Sequence, residues 1–92
     1  MFYLLCRNRV ADFAKWKKVF DSQQNAHRDA GLYLVHFWRE LGDPDNIFFV
    51  FQVSNIDTAK AFINAPETKK ADKTAGVIDG EIHFLENNIS NF

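Results

Sequence analysis

The sequence predicts an α+β subunit in which helices pack on one face of a four-stranded antiparallel sheet. Three observations lead there. Runs of strand and helix character follow one another in the order βαββαβ. The two central strand-like runs are separated only by Gly42-Asp43-Pro44-Asp45-Asn46, whose Gly, Pro and Asx residues suit a tight reversal, so these runs form a hairpin. Finally, 92 residues that are 47% apolar and 25% charged supply one core, so residues 1–92 are expected to form a single domain.

The same composition bounds the partners. Eleven Lys plus Arg stand against twelve Asp plus Glu, a net charge of -1, so no basic excess exists to neutralise nucleic acid or an anionic membrane. The single cysteine, Cys6, permits neither an internal disulfide nor a cysteine-built zinc cage, and it fits a reducing compartment. The apolar opening at residues 1–6 precedes Arg7 and Arg9, the reverse of a signal peptide's order. No run reaches the roughly 18 apolar residues of a membrane-spanning helix, and the cytoplasm is the expected address.

Residues 2–7 are apolar up to Arg7 and give way at once to helical spacing, which makes them a buried first strand. Across residues 10–30, Phe13, Trp16, Phe20, Gln24 and His27 recur at intervals of three or four, with Lys15, Lys17, Lys18, Gln23 and Arg28 turned away. Asp12 brings negative charge to the start and Gly31 closes the end, so the first helix is placed here. Residues 32–41 and 47–54 are the hairpin strands. Residues 57–73 return to helical composition, with Ala59, Phe62 and Ile63 on one side. Pro66 either bends this helix or starts a second one. Residues 78–86, with Ile82, Phe84 and Leu85, form the last strand, and residues 87–92 are expected to be a tail.

Right-handed crossovers place both helical segments on one side of the sheet, the ferredoxin-like arrangement. Two helices cannot cover the other face. With Leu41 set opposite Ile47, Arg39 pairs with Phe49, Phe37 with Phe51, Trp38 with Val50 and His36 with Gln52. The helix side then holds Tyr33, Val35, Phe37, Ile47, Phe49, Phe51 and Val53. The open side holds Leu34, His36, Trp38, Glu40, Phe48, Val50, Gln52 and Ser54. Four bulky apolar groups on an open face call for a partner, and a two-fold homodimer is the simplest closed solution.

Val10-Ala-Asp-Phe-Ala-Lys-Trp16, then Phe20, then Asp43-Pro44, then the stretch FFVFQVSNIDTAKAFINAPETKKADKTAGVIDGEIHFLE, together resemble the dimeric α+β barrel superfamily. That group includes antibiotic-biosynthesis-type and haem-degrading monooxygenases, stress-responsive barrels and members without assigned function. The resemblance implies a ferredoxin-like subunit whose sheets pair into a barrel. Haem-degrading members carry an Asn after the first strand, a Trp in the second helix and a His ligand ten residues later. Here Asn8 matches, Phe62 replaces the Trp and Asp72 replaces the His. A carboxylate is a poor replacement for a proximal imidazole, so haem degradation is disfavoured and no cofactor is expected. Quinone-forming members often show H-x-x-S-P-H, where this chain has Phe62-Ile-Asn-Ala-Pro66-Glu67 and lacks both His.

Titratable chemistry near neutrality rests with His36, His83 and His27. His36 and His83 are the candidate catalytic groups, and Asn8, Trp38, Gln52 and Phe62 the candidate ligand-binding groups. His36 with Trp38 and Gln52 has the makeup of a pocket for a planar molecule; the competing reading is that these residues only pack. His27 reads as a partly buried helix histidine, Trp16 and Phe20 as core, and Cys6 as an inert thiol. No metal-ligand spacing, catalytic triad or phosphate-binding glycine loop is present. Three functions follow: a homodimeric barrel that binds a small apolar or aromatic molecule; a cofactor-independent monooxygenase acting on an aromatic, polyketide-like substrate; or a structural dimerisation module.

Overall fold

Alternation along the first strand sets the frame. In the computed structural model, which describes residues 1–87, β1 (Phe2–Val10) buries Leu4, Cys6 and Val10 on one side. It runs three residues beyond the expected end because Arg7 and Arg9, on the other side, find carboxylates on neighbouring strands. Arg7 pairs with Asp79 and Glu81, each at 2.9 Å, and Arg9 with Asp43 at 2.8 Å.

The segment expected as one helix is two. Asp12 caps α1 (Phe13–Ser22), its carboxylate accepting from Ala14 N at 3.0 Å, and after Gln23 the chain resumes as α2 (Gln24–Asp29). The hairpin strands are β2 (Leu32–Glu40) and β3 (Asp43–Val53). The second helical segment also divides. Asn55 caps α3 (Ile56–Asn64), Ala65 is extended as a residue before proline prefers, and Pro66 opens α4 (Pro66–Thr74) at its first position. The last strand is β4 (Val77–Glu86). The expected tail, Asn87 apart, lies outside the described residues.

The sheet order is β2-β3-β1-β4, all neighbours antiparallel, which is the ferredoxin-like topology. Gly80 sits where β4 presses close to β1: a Cβ there would stand 2.6 Å from the Arg7 carbonyl oxygen and 2.8 Å from the Asn8 side chain.

The hairpin register departs from expectation by two residues. Arg39 faces Ile47, Phe37 faces Phe49, Trp38 faces Phe48, and His36 faces Val50 in place of Gln52. The turn and an irregularity between Arg39 and Glu40 explain it. Glu40 already pairs with Asp43, so the chain reverses at Leu41-Gly42, with Gly42 at φ 83°, a backbone region that glycine enters without steric cost. The Asp-Pro-Asp segment is therefore strand, and Pro44 loses nothing there because β1 pairs only as far as Asn46.

A slip of two preserves the faces, whereas one extra residue does not. The β2 register skips Val35, and that bulge exchanges two residues: Tyr33 joins Gln52 on the open face and Leu34 joins Phe51 on the helix face. Both assignments reverse the expected ones.

Candidate functional site

Helices and sheet do not close completely upon each other. Between them lies a partly open cavity of about 130 Å³, comparable to the roughly 150 Å³ that admits benzene in an engineered core. Aromatic rings build most of its wall. Trp16 stacks on Phe20 at 4.8 Å between centroids and tilts against Phe49 at 5.6 Å; His27 lies 5.0 Å from Phe51 and 5.6 Å from Phe62. These groups come from α1, α2, α3 and β3, so four elements must be in place before the cavity exists.

Polar groups enter this wall at five points: Asn8, Gln23, His27, Thr68 and Asp72. With the Asn8 amide oriented to satisfy both ends, its oxygen accepts from Trp16 Nε1 at 3.2 Å and its nitrogen donates to the Arg7 carbonyl at 2.9 Å. Asn8 thus anchors the indole that forms the wall. Neither His27 nor Asp72 has a side-chain hydrogen-bond partner among the described residues. Burial holds the His27 pKa below its ordinary value and raises that of Asp72, whose carboxyl sits at the rim with much of the residue in solvent. Both shifts favour the neutral forms. Cys6, on the cavity floor, has its pKa pushed up to about 12, first by burial and then by the negative charge of Asp72.

A thiol so hindered stays protonated at ordinary pH and makes a poor nucleophile. Native protein at pH 8 is expected to leave Ellman's reagent unreacted for as long as it remains folded, releasing one equivalent of thionitrobenzoate in denaturant. Stoichiometric reaction of the native protein within minutes would mean that Cys6 is accessible.

No family model matches the chain, and no curated protein is significantly similar to it. Solved structures do match. Candidate antibiotic biosynthesis monooxygenases from Deinococcus radiodurans and Bordetella bronchiseptica align over 100% and 96% of this chain and 97% of each of theirs, with TM-scores of 0.71 and 0.76 at 16% and 13% identity. The fold is that of the antibiotic biosynthesis monooxygenases. An uncharacterized NIPSNAP domain protein from Burkholderia xenovorans shares it, with a TM-score of 0.67 at 12% identity over 99% of this chain and 98% of its own. Identities this low concern the monooxygenase-type fold and leave activity open.

Within that fold the sequence candidates separate into two groups. Asn8 and Phe62 line the cavity. His36, Trp38, Gln52 and His83 lie on the opposite face of the sheet. There His36 stacks on Trp38 at 4.9 Å, and His83 Nε2 stands 3.4 Å from Glu81 Oε2. His36 and Gln52 share the open face as expected but are not directly opposite: the two-residue register shift sets Val50 opposite His36, and the bulge at Val35 sets Tyr33 opposite Gln52. Sequence reasoning assigned Trp16 and Phe20 to the core and passed over His27 and Asp72 as wall groups. The recurrence of Phe20, Gln24 and His27 on one helical stripe was the signal that His27 turns inward. Among the described residues no three His, Cys, Asp or Glu side chains gather to hold a metal ion, and no helix is long and apolar enough to cross a membrane.

Proposed function

We propose that this chain is the subunit of a homodimeric α+β barrel that binds a small apolar or aromatic molecule between its sheet and its helices. The observation that carries the reading is the cavity itself, ringed by Trp16, Phe20, Phe49, Phe51 and Phe62 and interrupted by a few polar groups. Burial of a single ring against such walls is favourable by about 25 cal/mol per Å² of apolar surface, and isolated polar groups orient it. A haem would not fit so small a space, and Asp72 offers its iron a carboxylate where the haem-degrading members supply an imidazole. A reduced Cys6 agrees with the cytoplasm.

The dimer follows from the other face. Tyr33, Trp38 and Leu85 are 47%, 49% and 45% exposed there, beside Leu5, Phe48 and Val50. Four strands of nine to eleven residues present roughly 500 Å² on that side, and two such faces reach the roughly 1,000 Å² of a stable interface. Arg7, Arg9, Asp79 and Glu81 edge the patch with ion pairs, the polar rim that interfaces carry.

A monooxygenase activity is the second reading, favoured by the names of the structural neighbours. In it, His27 or Asp72 would take a proton from a cavity-bound phenol. His36 and His83 would act only on a molecule held between the paired sheets. A general base of this kind contributes on the order of 10² to 10⁴ in rate.

Toluene tests the cavity. Added at millimolar concentration to labelled protein, it is expected to shift the amide resonances of Asn8, Phe49 and Phe62, and Ala71→Phe, which fills the space, is expected to abolish those shifts. Unmoved resonances in the parent protein would remove the binding reading and leave the structural dimerisation module.

A further inference from the structure

Beside the aromatic cavity lies a second one of about 210 Å³, and Phe20, His27, Leu32 and Phe51 line both. The two chambers differ in charge. The outer chamber carries Arg28, with Gln24 and the His27 ring, and among the described residues Arg28 makes no ion pair. Its neighbour Asp29 lines neither chamber. Among the described residues no Lys or Arg lines the inner chamber; its ionisable groups are the rim carboxyl of Asp72, the Cys6 thiol and the shared His27. An anionic group placed inside would meet apolar rings, a few uncharged polar groups and the carboxyl of Asp72, whereas the same group placed outside meets a guanidinium that makes no ion pair among the described residues.

We propose that the two chambers together bind a monocyclic aryl carboxylate, its ring among Trp16, Phe20 and Phe62 and its carboxylate on Arg28. The inference rests on the ligand-binding reading above and narrows it to a substrate class. Size supports the division. The inner chamber is close to the volume that accepts one benzene ring, and the outer one has room for a short chain with its head group and bridging waters. Charge sets the orientation: a planar guanidinium can hold a carboxylate through two parallel hydrogen bonds, and a carboxylate buried against the inner rings would be desolvated without a compensating cation. His27, on the boundary, touches both parts of the ligand. Because its burial favours the neutral ring, it can donate one hydrogen bond to the carboxylate without adding fixed charge.

The test uses the Trp38→Phe protein, which leaves Trp16 in the cavity wall as the one tryptophan. Its emission is titrated with 3-phenylpropionate and with the neutral 3-phenylpropan-1-ol at pH 7.5. The acid is expected to bind at least tenfold more tightly than the alcohol. Arg28→Gln is expected to abolish that preference while leaving the alcohol's Kd within twofold. Equal binding of acid and alcohol, or a preference that survives Arg28→Gln, overturns the carboxylate assignment and leaves the cavity reading intact. Failure of both probes to bind overturns the two together. Adding 0.5 M NaCl supplies an independent readout: it should weaken the acid and spare the alcohol, and an acid affinity indifferent to salt would also count against Arg28.

Discussion

Trp16→Ala is expected to destabilise the fold by about 3–5 kcal/mol, the range for emptying a buried aromatic site. Trp16 is 2% exposed and sits at the centre of the aromatic cluster, within 6.2 Å of the ring centroids of Phe13, Phe20, Phe37 and Phe49. Its loss merges a void with a cavity already present, so neighbouring rings have no nearby surface to collapse onto. The indole nitrogen adds a second penalty, because Asn8 then loses its donor at 3.2 Å. Trp16→Phe separates the two effects. It keeps much of the packing and forfeits the hydrogen bond, so its cost should fall nearer 1–3 kcal/mol. Urea denaturation with an unchanged slope measures both. An Ala variant within about 1 kcal/mol of the parent would show that the cluster is not the centre of the core. A fold of this size has on the order of 5–15 kcal/mol in hand, so the Ala variant approaches the limit of remaining folded.

Val50→Lys is expected to convert the proposed dimer to monomer, raising the dissociation constant at least 100-fold, as read by sedimentation velocity at micromolar concentration. Val50 lies in the middle of the open face, with Leu5 on one side and His36 on the other. Two-fold pairing through the middle of this face buries both copies of residue 50, so one substitution brings two ammonium groups into an apolar interface. In the isolated subunit Val50 is half-buried on a solvent-facing sheet, where a lysine stem can lie along the surface with its charge in water. Folding should therefore be preserved while assembly is lost, and circular dichroism of the monomer checks this. A parent protein that sediments as a monomer at 100 μM would remove the barrel altogether. A Val50→Lys protein that still pairs would move the interface elsewhere.

The two experiments probe opposite faces of one sheet, and the sequence was informative about them to different degrees. Element order was legible because it depends on local signals: Asp12 and Asn55 as caps, Pro66 at a helix start, and aromatic spacing along the first helix. The presence of an open apolar face was legible for the same reason, since Trp38, Phe48 and Val50 alternate with Phe37, Ile47, Phe49 and Phe51 whichever even register is chosen. Asn8 and Phe62 were recognised as potential ligand contacts through family resemblance, and both line the cavity.

Other features depended on contacts distant in sequence. The end of β1 was placed three residues early, because the strand continues past Arg7 only where Arg9 meets Asp43 and the neighbouring strands supply Asp79 and Glu81 to Arg7. The hairpin turn shifted toward Leu41-Gly42 because pairing continues through Asp43, and nothing local announces the bulge at Val35 that exchanges Tyr33 and Leu34. His27 and Asp72 lie 45 positions apart in the numbering of the chain, and they share a cavity only because α2 and α4 pack over the same part of the sheet.

What the sequence determined by itself, then, was the succession of strands and helices and the surplus of apolar sheet, because both arise from side-chain periodicity within a few residues. Tertiary structure alone decided which residues share a space. Register, bulge and helix placement are settled by pairing energies between distant segments, and a cavity is whatever volume those pairings leave unfilled.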